Sequence, residues 1–325
     1  MDAQEAHSSS DESVAENGVE AEQEDGQRRD NLFDLNDFAN DSECIDLVQR
    51  RVTHIPDLSR FSQLQELCFR QNFIKVIENL TVLNLENLEL YDNQITEIGG
   101  LDTLVNLESL DLSHNRIKKI QGLDKLVNLK NLFLVANKIS HIEGLENLVN
   151  LEMLELGDNR IRKMENINHL TKVKKLYIGK NKIRKIEGID NLTGITNLSL
   201  PGNRLVSIDG LQHLTNLQEL SLSDQGIASL EPLAPLKQLI IVDLGNNQIT
   251  NFDGLGEKPE LEDLWVNGNQ ISDWKEVDRL RDIKTLSTVY LEFNPIHKQD
   301  VNSYRRKAIL ALPQIKQLDA GICRT

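Results

Sequence analysis

Three cysteines, seven prolines and an aromatic content of only 4% are what this chain of 325 residues has least of. Cys44, Cys68 and Cys323 are too few and too scattered to staple a secreted repeat protein or to build a zinc site, which points to a reducing, intracellular setting. No stretch reaches the roughly 18 apolar residues of a membrane span, and the N-terminus has neither a basic start nor an apolar run, so neither insertion nor export is expected. Phosphate-binding glycine loops, a GxSxG turn and an HExxH pair are missing too. The histidines (His7, His54, His114, His141, His169, His213 and His297) stand at no plausible ligand spacing from a cysteine. No catalytic centre, cofactor or metal is therefore expected.

What the chain has in abundance is one pattern. From Leu107 to Leu126, LESLDLSHNRIKKIQGLDKL, apolar residues surround a marker, Asn115, that returns 22 residues on at Asn137, Asn159, Asn181 and Asn203, then as Gln225, Asn247 and Asn269. Asn93 and Asn72 precede it, and weaker ends at Arg50 and Asn294 bring the count to about twelve units. Leu-x-x-Leu-x-Leu-x-x-Asn-x-Ile-x-x-Ile-x-x-Leu-x-x-Leu is a leucine-rich repeat. A spacing of 21 between Asn72 and Asn93, and of 25 between Asn269 and Asn294, marks two irregular units.

The pattern dictates a shape. Leu110-Asp111-Leu112 alternates with the period of a strand buried on one face. From Ile117 through Ile120, Leu123, Leu126 and Leu129 the apolar residues come every third position, the period of a 3₁₀ helix or of tight turns. One coil cannot bury both rows alone, so neighbours stack. The expected fold is an α/β repeat solenoid: a curved horseshoe with a parallel concave sheet, a 3₁₀ or turn-built convex side and a C-terminal cap. Each marker Asn carries donors and acceptors for backbone groups at the corner leaving the strand. Gln225 keeps the amide on a longer arm, and a local distortion of the row is expected there. Gly122, Gly144, Gly188 and Gly210 share one repeat position and serve the turn.

Three regions follow. Residues 1–43 hold fourteen carboxylates against Arg28 and Arg29, a net of −12 out of −15 for the chain, and almost no large apolar residue before Leu32. Such a segment cannot offset the entropy of ordering, so an acidic tail, disordered to about residue 40, is expected, with Leu32, Phe33, Leu35 and Phe38 as a flexible lead-in rather than the short docking segment or helix they could also form. Residues 44–294 form the repeats. Residues 295–325 form the cap: a helix through Tyr304 to Leu312 with Ile309 and Leu312 on its apolar side, ended by Pro313, then an extended piece from Ile315 to Asp319.

Function should lie in residues the repeat does not need. The residue between the two inward leucines of each strand faces the concave side, giving the row Glu89, Asp111, Phe133, Glu155, Tyr177, Ser199, Ser221, Asp243, Trp265 and Tyr290, with Asp263 in the neighbouring lane. The serines need no more than solvent. Four aromatics in ten positions of a chain so poor in them are a concentration, and with interleaved carboxylates they make a protein-binding surface for a basic partner. Basic residues gather after the markers instead: Arg116, Lys118 and Lys119; Arg160, Arg162 and Lys163; Lys182, Arg184 and Lys185. Without interleaved aromatics this rim reads as a solvated edge, and the acidic row repels phosphates, so no nucleic acid partner is expected.

NLFLVANKI, MLELGDNRI, YIGKNKI and the ending TVYLEFNP…YRRKAILALPQIKQLD resemble one family in particular, the leucine-rich-repeat regulatory subunit 7 of protein phosphatase 1. The resemblance covers roughly Ile45 to Leu318 and rests on the concave row together with the cap. It implies a non-catalytic subunit, monomeric when unbound, that holds the phosphatase catalytic subunit on its concave face, with a further inhibitor subunit able to join. Implied contacts are Asp111, Phe133, Glu155, Asp243, Trp265 and Tyr290. Tyr177 stands where the family often has Phe, and Asp263 where it often has Glu. Nuclear and cytoplasmic location, chromosome segregation and control of phosphatase activity and assembly are further implications. The nearest thing to a short basic-Val-x-Phe docking segment, Arg51-Val52-Thr53-His54, lacks the aromatic and lies inside a repeat. The competing class is a scaffold of a ribonucleoprotein or cytoskeletal complex.

Overall fold

The computed structural model describes residues 33–81 and 83–323. Each repeat contributes a three-residue strand: β1 (Cys44–Asp46), β2 (Glu66–Cys68), β3 (Asn87–Glu89), β4 (Ser109–Asp111), β5 (Asn131–Phe133), β6 (Met153–Glu155) and β7 (Lys175–Tyr177). β8 (Asn197–Ser199), β9 (Glu219–Ser221), β10 (Ile241–Asp243), β11 (Asp263–Trp265) and β12 (Thr288–Tyr290) continue the stack. β13 (Gln317–Leu318) and β14 (Gly321–Ile322) close it. All lie in chain order in one sheet, parallel from β1 to β13, with only β14 antiparallel. The stack makes about 11 turns of a curved leucine-rich-repeat horseshoe.

The strands are short because only one residue of each, the central one, points inward. Leu110, Leu132 and Leu154 are wholly buried, as are Ile117, Ile120, Leu123, Leu126 and Leu129 on the turning side. Each such side chain contributes about 1.5–3 kcal/mol by leaving water. The every-third-residue spacing is matched by hydrogen bonds three residues apart, Leu126 N–H to Leu123 O and Leu129 N–H to Leu126 O at 3.0 Å. Most convex segments are single turns of this kind.

The marker amides tie neighbouring coils. Asn159 Oδ1 accepts from Ile139 N–H (3.0 Å), and its Nδ2 donates to Leu134 O (2.9 Å) one coil back and to Leu156 O (3.2 Å) in its own. Asn115, Asn181 and Asn247 repeat the arrangement. Gln225 does not break it: its longer arm still accepts from Leu205 N–H (2.9 Å) and donates to Leu200 O (2.8 Å), so the expected distortion is absent from both cross-coil bonds.

The 25-residue unit spends its extra residues on α1 (Trp274–Arg279), started by Asp273, whose side chain accepts from Lys275 N–H at 2.9 Å. The cap comprises α2 (Pro295–Lys298) and α3 (Val301–Ala311). α3 begins three residues before the expected Tyr304 because Asp300 caps it through Ser303 N–H. Its buried face is Tyr304, Ala308 and Ala311, followed by Leu312; Ile309, expected on that face, is only half-buried. The sequence does not announce β14, which turns back on β13. Arg305 then satisfies the carbonyls of Leu318, Gly321 and Ile322 at 2.9–3.2 Å.

At the other end, Leu35–Asp37 form a 3₁₀ turn capped by Asp34, and Phe33, Leu35 and Phe38 pack on the core. The lead-in expected to be flexible is therefore docked from Phe33 onward, because those side chains cover the first coil and Arg60 holds Leu35 O and Phe38 O. The disorder expected for the preceding residues lies outside the described part.

Candidate protein-binding face

Strand periodicity alone places the concave row. In each of β1 to β12 the first and third residues flank a buried one, so the sheet displays two lanes. Asp111, Phe133, Glu155, Tyr177, Asp243, Trp265 and Tyr290 all fall in the third-residue lane, and Asp263 in the first, two residues from Trp265 on β11. The parallel register sets each beside its counterpart on the next strand. All the residues singled out from the sequence thus share one face.

Local chemistry orients the acids. Asp111 Oδ1 accepts from Ser113 N–H at 2.8 Å, and Asp243 Oδ1 from Gly245 N–H at 3.0 Å, the turn that an Asp makes with its own backbone two residues on. Ser221 Oγ donates to the other Asp243 oxygen at 3.0 Å. Asp111, Glu155, Glu219, Asp243 and Asp263 have no ion-pair partner among the described residues. Burial, and secondarily the nearby Asp111 carboxylate, raises the Glu155 pKa above its ordinary value. Burial likewise raises that of Tyr177, helped by Glu219 and Glu155. A cation arriving on this face relieves that repulsion.

The aromatics rise at the C-terminal end. Trp265 is 39% exposed and meets Tyr290 edge to face, with ring centroids 5.9 Å apart. The Tyr290 hydroxyl accepts from Gln317 Nε2 at 3.0 Å, so the cap fixes its ring.

Two features escaped the sequence reading. Ser199 and Ser221, set aside as merely solvent-facing, are small residues between Tyr177 and Trp265, and they floor a cavity of about 270 Å³ that Glu219, Ile241 and Asp243 also line. Ile241, an apolar residue in an outward lane, was the available signal. Near the N-terminal end Arg70 stacks on Tyr91 at 4.5 Å and bonds Glu89 at 3.2 Å, so Glu89 is already paired. Among the described residues no group of three or more His, Cys, Asp or Glu converges to hold a metal ion, and no helix is long and apolar enough to cross a membrane.

The arrangement is that of a leucine-rich-repeat protein, and family models of leucine-rich repeats match it over residues 83–191 and 197–324. An internalin from Listeria monocytogenes has the same architecture, with a TM-score of 0.76 at 27% identity over 85% of this chain and 79% of its own. A leucine-rich-repeat protein of Leptospira interrogans superposes at 0.67 with 22% identity, covering 84% of this chain and 82% of its own.

More particularly, the sequence is similar to regulatory subunits of protein phosphatase 1. It is 47% identical over 74 residues to the regulatory subunit SDS22 homolog of Caenorhabditis elegans, which is 22% of this chain and 23% of that protein. It is 43% identical over 72 residues to regulatory subunit SDS22 of Schizosaccharomyces pombe, covering 22% and 21%. Human regulatory subunit 7 is 44% identical over 54 residues, covering 17% and 14%. The alignments thus span under a quarter of the length of these relatives. They carry the same resemblance that the residues themselves suggested.

Proposed function

We propose that this chain is a non-catalytic regulatory subunit that binds the catalytic subunit of protein phosphatase 1 on its concave face. The observation that carries the reading is the pairing, on one continuous sheet, of unneutralised carboxylates with the Trp265–Tyr290 pair, in a chain similar to named regulators of that phosphatase. The rings are anchors; the acids at Asp111, Glu155, Asp243 and Asp263 orient a basic partner, with Phe133 and Tyr177 extending the contact along the sheet. A docked partner displaces water from the cavity between Tyr177 and Trp265. The unbound chain is a monomer, a further inhibitor subunit can join the complex, and both operate in nucleus and cytoplasm. Control of phosphatase activity or assembly, including during chromosome segregation, is the role this serves.

Gel filtration of the purified chain mixed with the phosphatase catalytic subunit tests this, beside a variant carrying Asp243→Ala, Trp265→Ala and Tyr290→Ala. Trp265 alone is expected to supply about 2 kcal/mol or more, and the triple variant to lose co-elution while keeping its circular dichroism. Co-elution retained by the variant moves the interface elsewhere. No complex with the wild type refutes the phosphatase reading.

A further inference from the structure

The basic rim is more than a row of solvated charges. Arg162 and Arg184 stand three residues after their markers, and Lys182 and Arg204 one residue after theirs, so two positions on adjacent coils interleave. The four side chains alone line a cavity of about 260 Å³. None of the four has an ion pair or hydrogen-bonded carboxylate among the described residues. Their neighbours one step further round the coil behave differently: Lys119 pairs with Glu143, His141 lies by Glu165, and Lys185 pairs with Glu187. Of the cations at that position, Lys119, His141 and Lys185 meet a carboxylate and Lys163 does not, whereas none of the four around the cavity does among the described residues.

Four like charges facing one hollow repel each other unless an anion enters. Three of the four are arginines, whose planar forks suit the tetrahedral oxygens of a phosphoryl group better than the point charge of lysine. The surroundings limit the size of that anion. On the sheet side lie Asp158, Lys180 and the acidic concave row, and on the convex side Glu165, Glu187 and Asp209. A long polyanion laid across this rim meets carboxylates on both flanks, and no aromatic side chain lines the cavity to stack on a base. A compact dianion on a flexible chain meets only the cations.

We infer that Arg162, Lys182, Arg184 and Arg204 form a binding site for a phosphoryl group carried on a peptide, that is, for a phosphorylated segment of a partner protein. The site is separate from the concave face, and its test uses the free chain without phosphatase, so it stands or falls independently of the function proposed above.

The test is fluorescence anisotropy with a labelled glycine–alanine peptide carrying one phosphoserine, against the same peptide with serine, at low and at physiological salt. The phosphorylated form is expected to bind at least about tenfold more tightly, with the difference shrinking as salt rises. The double variant Arg162→Gln, Arg184→Gln should lose about tenfold or more for the phosphopeptide, whereas Arg162→Lys, Arg184→Lys should lose less. A control, Lys118→Gln with Lys138→Gln, removes the same charge from the same rim outside the cavity and should retain most of the affinity. Inorganic phosphate should compete. Circular dichroism confirms that the variants, changed at exposed positions, remain folded. Equal binding of the two peptides, or an equal loss in the control, overturns the site. A single-stranded oligonucleotide that binds the wild type more tightly than the phosphopeptide, and is lost in the glutamine variant, overturns the class of partner.

Discussion

Replacing Asn159 by alanine should cost far more than the size of the side chain suggests. The amide serves two coils: Ile139 N–H donates to its Oδ1 at 3.0 Å, and its Nδ2 donates to Leu134 O at 2.9 Å as well as to Leu156 O and Gly157 O. The residue is only 7% exposed, so water cannot readily take its place. Alanine leaves the Ile139 N–H buried without a partner, whereas the Leu134 carbonyl keeps Asn137 Nδ2 at 3.2 Å. At about 1–3 kcal/mol for the stranded N–H and about 1 kcal/mol for the bond lost at Leu134, the loss is about 2–4 kcal/mol, a large share of the roughly 5–15 kcal/mol that holds a folded protein together. Gln225→Ala breaks the equivalent pair of cross-coil bonds, but at a half-buried position where water can substitute, and should cost about 1–2 kcal/mol. Urea unfolding followed by circular dichroism ranks the two variants. Hydrogen exchange at the Ile139 amide reads the local effect, which matters because a stack of repeats can lose one unit before the rest. A loss below about 1 kcal/mol with the Ile139 amide still protected, or a larger loss for Gln225→Ala, would refute the account of the ladder.

Two further outcomes are expected. Gly144 has φ +68°, and a Cβ there would lie 2.4 Å from Ile120 O, so Gly144→Ala should destabilise by about 2 kcal/mol or more. Gly144→Asn should cost less, because Asn166 holds the same repeat position at φ 56° and donates to Ile142 O at 2.7 Å; thermal melts of the two variants compare them. In the cap, the Tyr304 hydroxyl donates at 2.9 Å to Asp319, whose other oxygen accepts from Leu291 N–H and Glu292 N–H. Tyr304→Phe should therefore cost about 1–3 kcal/mol in urea unfolding and speed exchange at the Leu291 amide, whereas an unchanged midpoint would count against that triad as the lock of the last coil.

The repeat was legible in the sequence because its physics is local: the two-residue period around Leu110 and the three-residue period from Ile117 to Leu129 each name one side of the coil. Once coils stack in register, the outward lane follows by alternation, so Asp111, Phe133 and Trp265 could be put on one face before any contact was known. The same locality explains the failures. Ser199 and Ser221 look inert one strand at a time, and become the floor of a cavity only when Tyr177 and Trp265 stand on either side of them. Phe33, Leu35 and Phe38 look like a lead-in until the open end of the first coil offers them apolar surface.

Composition and period by themselves determined the class of fold, the parallel direction of the repeat strands and the face on which acidic and aromatic residues gather. Tertiary structure alone decided which charges are neutralised. Glu89 is paired through Arg70, Lys119 through Glu143, and Arg162, Lys182, Arg184 and Arg204 remain open around their cavity. Whether these side chains meet an opposite charge depends on neighbouring positions in successive coils, because their ion pairs form where stacking brings the two charges within reach.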